Sequence, residues 1–597
     1  MDYYSKALKV IDKEKKEVSK QYRLISNIRL FVSVVGILFF VLSIIDQNMI
    51  YFAIFLGSSV LFVGFVVYHD KIRERKEYTD AKEKVLLKQV DRRNSKWSSF
   101  EETGIEFCKE DMTIEKDLDL LGRNSLYQYI CTCNTIEGKR FLFTYLKEDN
   151  IDRKKIYKKQ NAVKEFLENE ELALEFETRS MMVGMKIGPK QNAWYESFLE
   201  YLFMKESLLA TFFQQVSFIL PICNAIAFVL FLKGNINIYI PFTLTFLQLC
   251  LAYYISFRCK DIISKVFRFC SHIGEYYRFI QYIENVEFSS VYLKELKSKI
   301  SNDYKTTKGI QKLDHINEAF LIHTNPYIHI FLQMFLMYDL HCIRLLEQWK
   351  KSYADSMVII FKVIGEMEAL ESLSVIGRDR EISFPILKES EDIIFHGSDM
   401  THPLIQADQA VKNSIHIEHG IEIITGSNMS GKTTFLRTIG MNMVLAYAGA
   451  PVCASRMELS VMNLFTSMRV QDDVSKGVSS FYAEVLRIKE MVEYAKNHKP
   501  MLALIDEIFK GTNSADRITG AKEILKYLNK RHVIAVVSTH DFELCSLVEN
   551  NEVVGSNHHF EEYYDSDQIH FDYKMKKGRG YTTNAKYILR MAGLINK

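Results

Sequence analysis

One stretch in the last third of the chain combines residue types that bind phosphate. Residues 421–425, Ile-Glu-Ile-Ile-Thr, are typical of a buried strand, and residues 426–434 read Gly-Ser-Asn-Met-Ser-Gly-Lys-Thr-Thr, which fits the pattern GxxxxGK[ST]. A segment with helical patterning follows at 435–447. Glycines at both ends of the loop allow a tight turn whose N–H groups point at phosphate oxygens, and the helix N-terminus adds positive potential. A strand, a loop and a helix in this order are the context that the phosphate-binding motif requires.

The motif predicts a site for ATP with Mg²⁺. Lys432 would neutralise the β- and γ-phosphate oxygens, and Thr433 would hold the metal ion. The candidate nucleotide-binding residues are Gly426, Ser427, Asn428, Met429, Ser430, Gly431, Lys432, Thr433 and Thr434.

Two further apolar runs end in residues that would complete such a site. Residues 501–505 precede Asp506 and Glu507, and residues 532–538 come just before His540. Because ligands collect at the carboxyl ends of parallel strands, we expect these side chains at one edge of a sheet. Asp506 is the predicted second Mg²⁺ ligand, Glu507 orients the attacking water, and His540 senses the γ-phosphate. A capping or surface histidine is the alternative for His540.

Five segments of the C-terminal third resemble the ATPase of one family. They are 426–434, Met-Arg-Val-Gln-Asp-Asp at 468–473, Gly-Val-Ser-Ser-Phe-Tyr-Ala-Glu at 477–484, Asp-Glu-Ile-Phe-Lys-Gly-Thr at 506–512 and Ser-Thr-His-Asp-Phe-Glu-Leu at 538–544. In this order they look like the ATPase of the MutS DNA mismatch repair family. The resemblance extends over residues 100–200 and 300–597, and no LSGGQ-like segment of an ABC transporter precedes the second acidic run.

The resemblance implies a homodimer, formed through the ATPase domain, with composite ATP sites. Ser479 would reach the γ-phosphate bound by the other subunit, Asn428 would belong to the phosphate loop, and Asp516 would belong to a loop that crosses the dimer interface. ATP binding and hydrolysis would open and close a helical clamp around double-stranded DNA. A helix N-cap ahead of Phe481, with Glu484 as the capping-box acceptor, is the alternative for Ser479.

The chain also departs from the family's pattern. A basic segment and an apolar hairpin stand where the family has its mismatch-reading Phe-x-Glu, so we expect the N-terminal mismatch-recognition domain to be missing. Arg517 stands in place of a glycine, and Phe509-Lys510 in place of Gly-Arg. Residues 408–413 lack the aromatic side chain expected beside the adenine. The resemblance therefore carries over the ATP chemistry but not the reading of mismatches.

Four apolar runs without a charged residue predict two membrane hairpins. They cover residues 30–45, 50–68, 208–232 and 236–257. As helices they would rise about 24 Å or more, against a hydrocarbon core of about 30 Å. Helix pairs buried in a soluble domain are the alternative. The chain is therefore expected to contact a lipid bilayer.

Basic residues predict the orientation of both hairpins. They flank the outer ends of the apolar runs, whereas the two turns carry only Lys233. We expect a multi-pass protein of the cell membrane with its soluble parts in the cytoplasm. The flanking basic residues are Lys13, Lys15, Lys16, Lys20, Arg23, Arg29, Lys71, Arg73, Arg75, Lys76, Arg258, Lys260, Lys265 and Arg268.

Composition and periodicity predict a multidomain chain, with α-helical membrane hairpins and a helical core and lever preceding an α/β, ABC-like ATPase domain. Only 8 prolines occur among 597 residues, which favours long helices. The 10 cysteines lack paired CxxC spacing, which indicates a reducing compartment and no structural metal. The expected units are a basic N-terminal segment (1–29), a hairpin (30–68), the first part of the core (69–207), a second hairpin (208–257), a helical lever (258–381) and the ATPase domain (382–597).

Two classes of function fit these patterns. The first is a membrane-tethered, ATP-driven DNA clamp related to mismatch repair or recombination. The second is a membrane ATPase that has lost DNA binding and acts on a protein or lipid. A net charge of +2 favours neither, so DNA binding would need a local basic surface. The lysines that could form one are Lys294, Lys297, Lys299, Lys305, Lys308 and Lys312.

Overall fold

The computed structural model describes residues 3–108, 112–147, 151–187, 191–209, 211–270, 273–301, 304–322, 325–389, 393–469, 480–509, 513–565 and 568–580. Within these ranges the chain is helical up to Ser374 and mixes strands with helices from Ile386 onward. The predicted order of a helical region followed by an α/β region is therefore confirmed.

The helical part is built from long helices joined by short turns. Its helices are α1 (Tyr3–Ile45), α2 (Met49–Arg93), α3 (Thr113–Asp117), α4 (Leu126–Ile130), α5 (Ile136–Leu146), α6 (Arg153–Glu168), α7 (Glu170–Ile187), α8 (Gln191–Phe203), α9 (Thr211–Leu232), α10 (Tyr239–Cys270), α11 (Ile273–Asn285), α12 (Val291–Ser301), α13 (Tyr304–Leu321), α14 (Pro326–Leu336) and α15 (Tyr338–Ser374).

Helices α1 and α2 form one long hairpin. At about 1.5 Å per residue they are about 65 and 68 Å long, so both continue well past the apolar runs at 30–45 and 50–68. Their polar halves pack on α7 through an apolar cluster that includes Tyr4, Val85 and Leu174. The hairpin therefore joins its apolar tip rigidly to the helical core.

Four described helices have the length and apolar composition of membrane spans. They are Tyr3–Ile45, Met49–Arg93, Phe212–Leu232 and Tyr239–Asp261. The four predicted runs lie within them or overlap them. The second hairpin is made of α9 and α10, whose polar side chains face each other: the Asn224 amide donates a hydrogen bond to the Thr245 hydroxyl (2.9 Å).

Helix α15 is the central element of the helical body. Gly365 allows it to touch α5, because a Cβ there would lie 2.6 Å from the backbone nitrogen of Gly138. Three residues further on, the Glu368 carboxylate accepts hydrogen bonds from the backbone N–H groups of Asn134 (3.0 Å) and Thr135 (3.3 Å). Burial raises the pKa of Glu368. The lever is thus fixed to the start of the helical core.

The C-terminal part contains two sheets. Its strands are β1 (Ile386–Lys388), β2 (Phe395–Met400), β3 (Asn413–Ile417), β4 (Gly420–Thr425), β5 (Arg456–Ser460), β6 (Asn463–Ser467), β7 (Met501–Asp506), β8 (Val533–Thr539), β9 (Gly555–Asp565) and β10 (Gln568–Lys577), and its helices are α16 (Lys432–Ala448), α17 (Ser480–Lys496), α18 (Ser514–Leu528) and α19 (Ser546–Glu549).

The larger sheet carries the predicted site. Its strand order is β10-β9-β4-β8-β7-β6, with β9, β4, β8, β7 and β6 parallel and β10 antiparallel to β9. The smaller sheet has the order β1-β5-β2-β3. Strands β4, β7 and β8 are buried along their whole length, as expected of central strands in a parallel sheet covered on both faces.

A buried carboxylate joins the sheet domain to the helical core. Asp117, which is fully buried, accepts hydrogen bonds from the backbone N–H groups of Met468 (3.1 Å) and Arg469 (3.0 Å). Arg487 of α17 lies 3.3 Å from the same carboxylate, and Arg437 of α16 donates to the Asp117 carbonyl. Two helices that border the predicted site therefore contact the core directly.

Candidate active site

The phosphate-binding loop has the backbone that its sequence predicts. Strand β4 runs directly into residues 426–431, and α16 begins at Lys432. The backbone is left-handed at Gly426 (φ 150°), Met429 (φ 70°) and Gly431 (φ 106°). A side chain at Gly426 would also collide with its surroundings, because a Cβ there would lie 2.8 Å from the Phe560 carbonyl oxygen. Both glycines are therefore needed for the loop to close.

Lys432 lies over this loop. Its Nζ donates hydrogen bonds to the carbonyl oxygens of Gly426 and Ser427, both at 2.8 Å. The ammonium is thus held at the mouth of the loop, where it can exchange these carbonyls for phosphate oxygens. Ser430 Oγ is buried in the same loop and has no hydrogen-bond partner among the described residues. A bound phosphate would supply one.

The two predicted Mg²⁺ ligands lie together. Thr433 Oγ1, in the first turn of α16, donates a hydrogen bond to Asp506 Oδ2 at 2.9 Å. The Ser538 hydroxyl donates to the other oxygen of Asp506. A hydroxyl and a carboxylate are hard oxygen ligands, which Mg²⁺ prefers together with water and phosphate oxygens. The residues present therefore fit a Mg²⁺ ion bound with a nucleotide.

Glu507 and His540 form a second pair beside the predicted metal ligands. Glu507 Oε1 lies 2.7 Å from His540 Nε2, and both side chains are partly exposed. Glu507 has a left-handed backbone (φ 63°), which is strained for a residue with a side chain. Its N–H donates to the Ser538 carbonyl at 2.9 Å, so the strained residue is fixed by the neighbouring strand. Such strain commonly marks a functional position.

Arg517, which departs from the family's pattern, has a defined partner. Its guanidinium donates two hydrogen bonds to the Asp541 carboxylate, at 2.9 and 2.7 Å. This hydrogen bonding raises the pKa of Arg517 further. Asp541 directly follows His540, and its N–H donates to the Thr539 hydroxyl. The ion pair therefore braces the turn that presents His540.

The start of α17 is linked to the segment that follows Glu507. The Glu484 carboxylate, which is buried, accepts a hydrogen bond from the N–H of Phe509. The rings of Phe481 and Phe509 also contact each other, with centroids 5.6 Å apart. Phe509 again has a left-handed backbone (φ 62°). A movement of α17 would therefore be transmitted to the residue that faces His540.

A cavity of about 540 Å³ extends from the phosphate loop. Its lining includes Tyr573, a residue that the sequence analysis did not find. The Tyr573 ring covers the loop, since its Cδ1 lies 3.1 Å from the place of a Cβ on Gly431. The residues that line the cavity are Met400, His402, Ile405, Gln409, Val411, Asn413, Met429, Ser430, Gly431, Lys432, Thr433, Thr434, Phe435, Thr438, Phe560 and Tyr573.

Asn413 holds Tyr573 in this position. Its amide donates to the Tyr573 carbonyl and accepts from the Met575 N–H, both at 2.9 Å. The pairing of β9 with β10 shifts between Phe571 and Met575, and Tyr573 within that shift has a positive φ of 53°. An aromatic side chain that covers the loop thus comes from a β-bulge in the last hairpin rather than from residues 408–413.

His402 lines the same cavity and is kept neutral. Its Nδ1 accepts a hydrogen bond from the N–H of Leu404 at 3.2 Å. Burial, together with the positive charge of Arg437, lowers the pKa of His402 to about 4. The imidazole is therefore uncharged at neutral pH and contributes a polar but neutral wall.

The remaining predicted site residues do not line this pocket as a group. Thr434 lines the cavity, whereas Asn428 is exposed and is not among the lining residues, and the Ser427 hydroxyl donates to Glu562 of β9 at 2.7 Å. Asp516 is exposed on the first turn of α18. Ser479 lies outside the described residues, as does the segment 470–478 that precedes it.

The lysines of the predicted basic surface differ in their surroundings. Lys297 donates a hydrogen bond to the Val286 carbonyl (2.7 Å), and Lys312 lies over the Tyr353 ring. Lys294 and Lys299 are exposed on α12, and Lys308 is exposed on α13. The side chain of Lys305 lies outside the described residues.

Comparison with known proteins places the similarity in the sheet domain. Residues 422–597 match the family described as MutS domain V. The DNA mismatch repair protein MutS of Shouchella clausii is 27% identical over 254 residues, which are 41% of this chain and 28% of that protein. The MutS proteins of Staphylococcus epidermidis (28% over 260 residues; 42% and 29%) and Listeria monocytogenes (29% over 253 residues; 41% and 29%) give similar values.

The matched segment spans less than a third of the length of these curated relatives. The family match at 422–597 contains Lys432, Thr433, Asp506, Glu507 and His540, whereas His402 and Asn413 of the cavity lie before it. The similarity and the site geometry thus concern the same part of the molecule. The C-terminal 40% or so of the chain, through its MutS domain V, supports a relationship with the MutS family.

Proposed function

We propose that this protein is a Mg²⁺-dependent ATPase of the MutS type, anchored in the cell membrane. The observation that carries the proposal is the placement of two pairs at one sheet edge. Thr433 and Asp506 are hydrogen-bonded at 2.9 Å, and Glu507 and His540 are 2.7 Å apart. This is the arrangement of metal ligands and water-orienting groups that a P-loop ATPase requires.

The phosphate loop binds and orients the triphosphate. Lys432 releases the carbonyl oxygens of its own loop and neutralises the β- and γ-phosphate oxygens, and the N-terminus of α16 adds positive potential. Thr433 and Asp506 would hold Mg²⁺, which would stabilise the charge that develops between the β- and γ-phosphates. The Tyr573 ring offers a stacking surface for the base.

Glu507 then positions the attacking water. Its carboxylate accepts a hydrogen bond from that water and so directs an oxygen lone pair at the γ-phosphorus. His540, whose Nε2 lies 2.7 Å from this carboxylate, would contact the γ-phosphate oxygens. Arg517 keeps the His540 turn in place through Asp541, so it is a positioning residue.

A dimer with composite sites completes the proposal. Ser479 of one subunit would bind the γ-phosphate held by the other, and Asp516, exposed on α18, would lie at the interface. Mixing Ser479→Ala subunits with Lys432→Ala subunits tests this. In a mixed dimer with trans sites, both lesions fall in one site and the other is intact, so partial activity returns. If mixed dimers form and no activity returns, Ser479 does not act in trans.

The anchor would consist of the two apolar hairpins, with all soluble parts in the cytoplasm. The most apolar windows of their four helices are between 0% and 22% buried, although they carry almost no charge. Water would solvate such surfaces poorly, whereas the hydrocarbon core of a bilayer would solvate them well.

A high-salt wash without detergent should leave the protein in the membrane fraction. A cysteine placed at Asn48 or Asn235 should react with an impermeant reagent outside intact cells, and one at Ser479 should not.

The substrate of the ATP-driven movement is proposed to be double-stranded DNA, held in a clamp of the helical region. The relatives' printed names, DNA mismatch repair protein, support this class. The second candidate is action on a protein or lipid. It is favoured because Lys297 and Lys312, two lysines of the predicted DNA-binding surface, already contact the Val286 carbonyl and the Tyr353 ring of the same chain. Binding of the purified full chain to duplex DNA at several salt concentrations distinguishes the two. A steep fall of affinity with salt supports DNA, and no binding at low salt contradicts it.

A further inference from the structure

Helix α14 buries a polar side chain and exposes apolar ones. Gln333 is fully buried, whereas Tyr327 is 86% exposed and Phe331 is 59% exposed. A helix of a soluble domain shows the opposite pattern, with apolar side chains inside and polar ones in water. The exposed large apolar side chains of α14 are Tyr327, Ile328, Ile330, Phe331, Phe335 and Leu336.

The same pattern continues from the second hairpin, on which α14 packs. Gln248 of α10 is fully buried and donates a hydrogen bond to the Met334 carbonyl of α14 at 2.8 Å. The Asn224 amide of α9 contacts the Gln248 side chain at 3.3 Å. Facing outward, Phe246 is 65% exposed. Polar groups thus satisfy one another inside, as hydrocarbon surroundings require.

A tight turn returns the chain from α14 into α15. Met337, which is fully buried, joins the helices in a left-handed conformation (φ 50°). Just beyond it, Asp339 accepts hydrogen bonds from the Ser256 hydroxyl (2.6 Å) and the Gln333 amide (3.1 Å), and His329 Nε2 lies 3.0 Å away. The carboxylate at this turn is therefore surrounded by donors instead of facing outward.

The contacts also give the depth of α14 in the hairpin. Counted from Tyr239, the start of α10, Gln248 is about 14 Å and Ser256 about 26 Å along the helix. Helix α14 contacts α10 between these two residues. It therefore lies beside the half of the α10 membrane span that is nearer to the basic residues following that span. Its 11 residues measure about 16 Å, too short to cross a core of about 30 Å. Arg344 of α15 lies over the Phe218 ring of α9.

An open cavity of about 1000 Å³ lies beside these helices. Its walls are almost entirely apolar and include Tyr253, Phe257, Phe267 and Phe320. The charged residues that line it are Lys260 and Asp339. A cavity of this composition is costly to fill with water but suits hydrocarbon chains.

We propose that α14 and the first turn of α15 form a re-entrant helix pair immersed in the cytoplasmic leaflet, with lipid acyl chains covering the exposed face of α14. The proposal rests on the membrane location proposed for the second hairpin. It assigns to the bilayer a segment that hydropathy alone placed in the soluble lever. The lever helix α15 then begins within the membrane and ends at the ATPase domain, so nucleotide-driven movement of α15 acts on the bilayer-embedded helices.

Tryptophan quenching by lipids brominated in their acyl chains tests the proposal in the full chain reconstituted into liposomes. Phe331→Trp adds a reporter on α14, and Tyr327→Trp is a second reporter in case the first variant fails to fold. Phe246→Trp on α10 is the lipid-facing control, and Tyr527→Trp, exposed on α18, is the water-facing control. Emission is compared with the unsubstituted chain, whose three tryptophans give the background.

We expect brominated lipid to quench Phe331→Trp as strongly as Phe246→Trp and to leave Tyr527→Trp unchanged. Quenching of Phe246→Trp alone overturns the proposal and leaves the membrane hairpin in place. In that case, protection of residue 331 from aqueous acrylamide would show that a second copy or another protein covers α14. If neither reporter is quenched, the proposed membrane location of the hairpin fails together with this inference.

Discussion

Glu507 and His540 follow two adjacent parallel strands, and their side chains meet at 2.7 Å. The register of this strand pair sets Asp506 opposite Ser538, so that Ser538 binds the Asp506 carboxylate with its hydroxyl and the Glu507 N–H with its carbonyl. One serine therefore contacts both the proposed metal ligand and the carboxylate proposed to orient water. The chemistry of the site depends on the register of β7 and β8 as much as on the phosphate loop.

The Arg517–Asp541 ion pair is expected to support turnover rather than nucleotide binding. Arg517→Met removes two charge-assisted hydrogen bonds from a half-buried pair, which should cost about 1 kcal/mol of positioning and lower kcat about fivefold. The KM for ATP should stay the same, because Arg517 does not line the nucleotide cavity. Steady-state ATPase kinetics measure both constants.

Two variants control for this prediction. Arg517→Lys keeps the charge and should recover part of the lost kcat, whereas Arg531→Met, at an exposed arginine, should behave like the unsubstituted protein. A rise in KM with unchanged kcat in Arg517→Met would contradict the positioning role.

Tyr573 is expected to bind the base of ATP. Stacking of an aromatic side chain on a base contributes about 1–3 kcal/mol, so Tyr573→Ala should raise the dissociation constant for ATP about tenfold. Tyr573→Phe keeps the ring and should change little. Fluorescent-nucleotide titration measures the affinity, and Tyr563→Ala, at an exposed tyrosine of the same hairpin, is the matched control. Equal affinities for Tyr573→Ala and the unsubstituted protein would exclude stacking.

His402 should make the protein less stable in mild acid. Its pKa is about 4 in the folded chain and about 6.5 when unfolded, so the unfolded state binds more protons between these values. Stability should therefore fall as the pH drops from about 6.5 towards 4, by about 2 kcal/mol at pH 5 from this group. His402→Asn, which cannot titrate, should lose less. Thermal unfolding at pH 7.5 and pH 5 compares the two, and an equal loss in both proteins would contradict the buried neutral state.

Local sequence patterns were sufficient to predict which side chains lie together at this sheet edge. Lys432, Thr433, Asp506, Glu507 and His540 each follow or begin a strand or helix with a clear pattern, and parallel strands bring such ends together. Tyr573 was missed because its position depends on a β-bulge and on Asn413, 160 residues away. Alternation of residues can predict that hairpin but not which strand it lies beside.

Helix lengths and the membrane location proposed for α14 were also beyond the sequence patterns. The apolar runs at 30–45 and 50–68 are parts of α1 and α2, whose polar halves are stabilised by packing on α7. Helix α14 has only 11 residues, so hydropathy alone cannot distinguish it from a core helix. Only its exposed apolar face and its buried Gln333 make that distinction.

ATP hydrolysis by Glu507→Gln tests the central claim most directly. The glutamine keeps the size of the side chain but orients the water poorly, so turnover by the purified full chain with Mg²⁺ should fall about 100-fold or more while ATP binding is kept. Glu543→Gln, an exposed glutamate close to the same sheet edge, should retain full turnover. Hydrolysis by Glu507→Gln at the unsubstituted rate would contradict the assignment of this residue and of the ATPase site built around it.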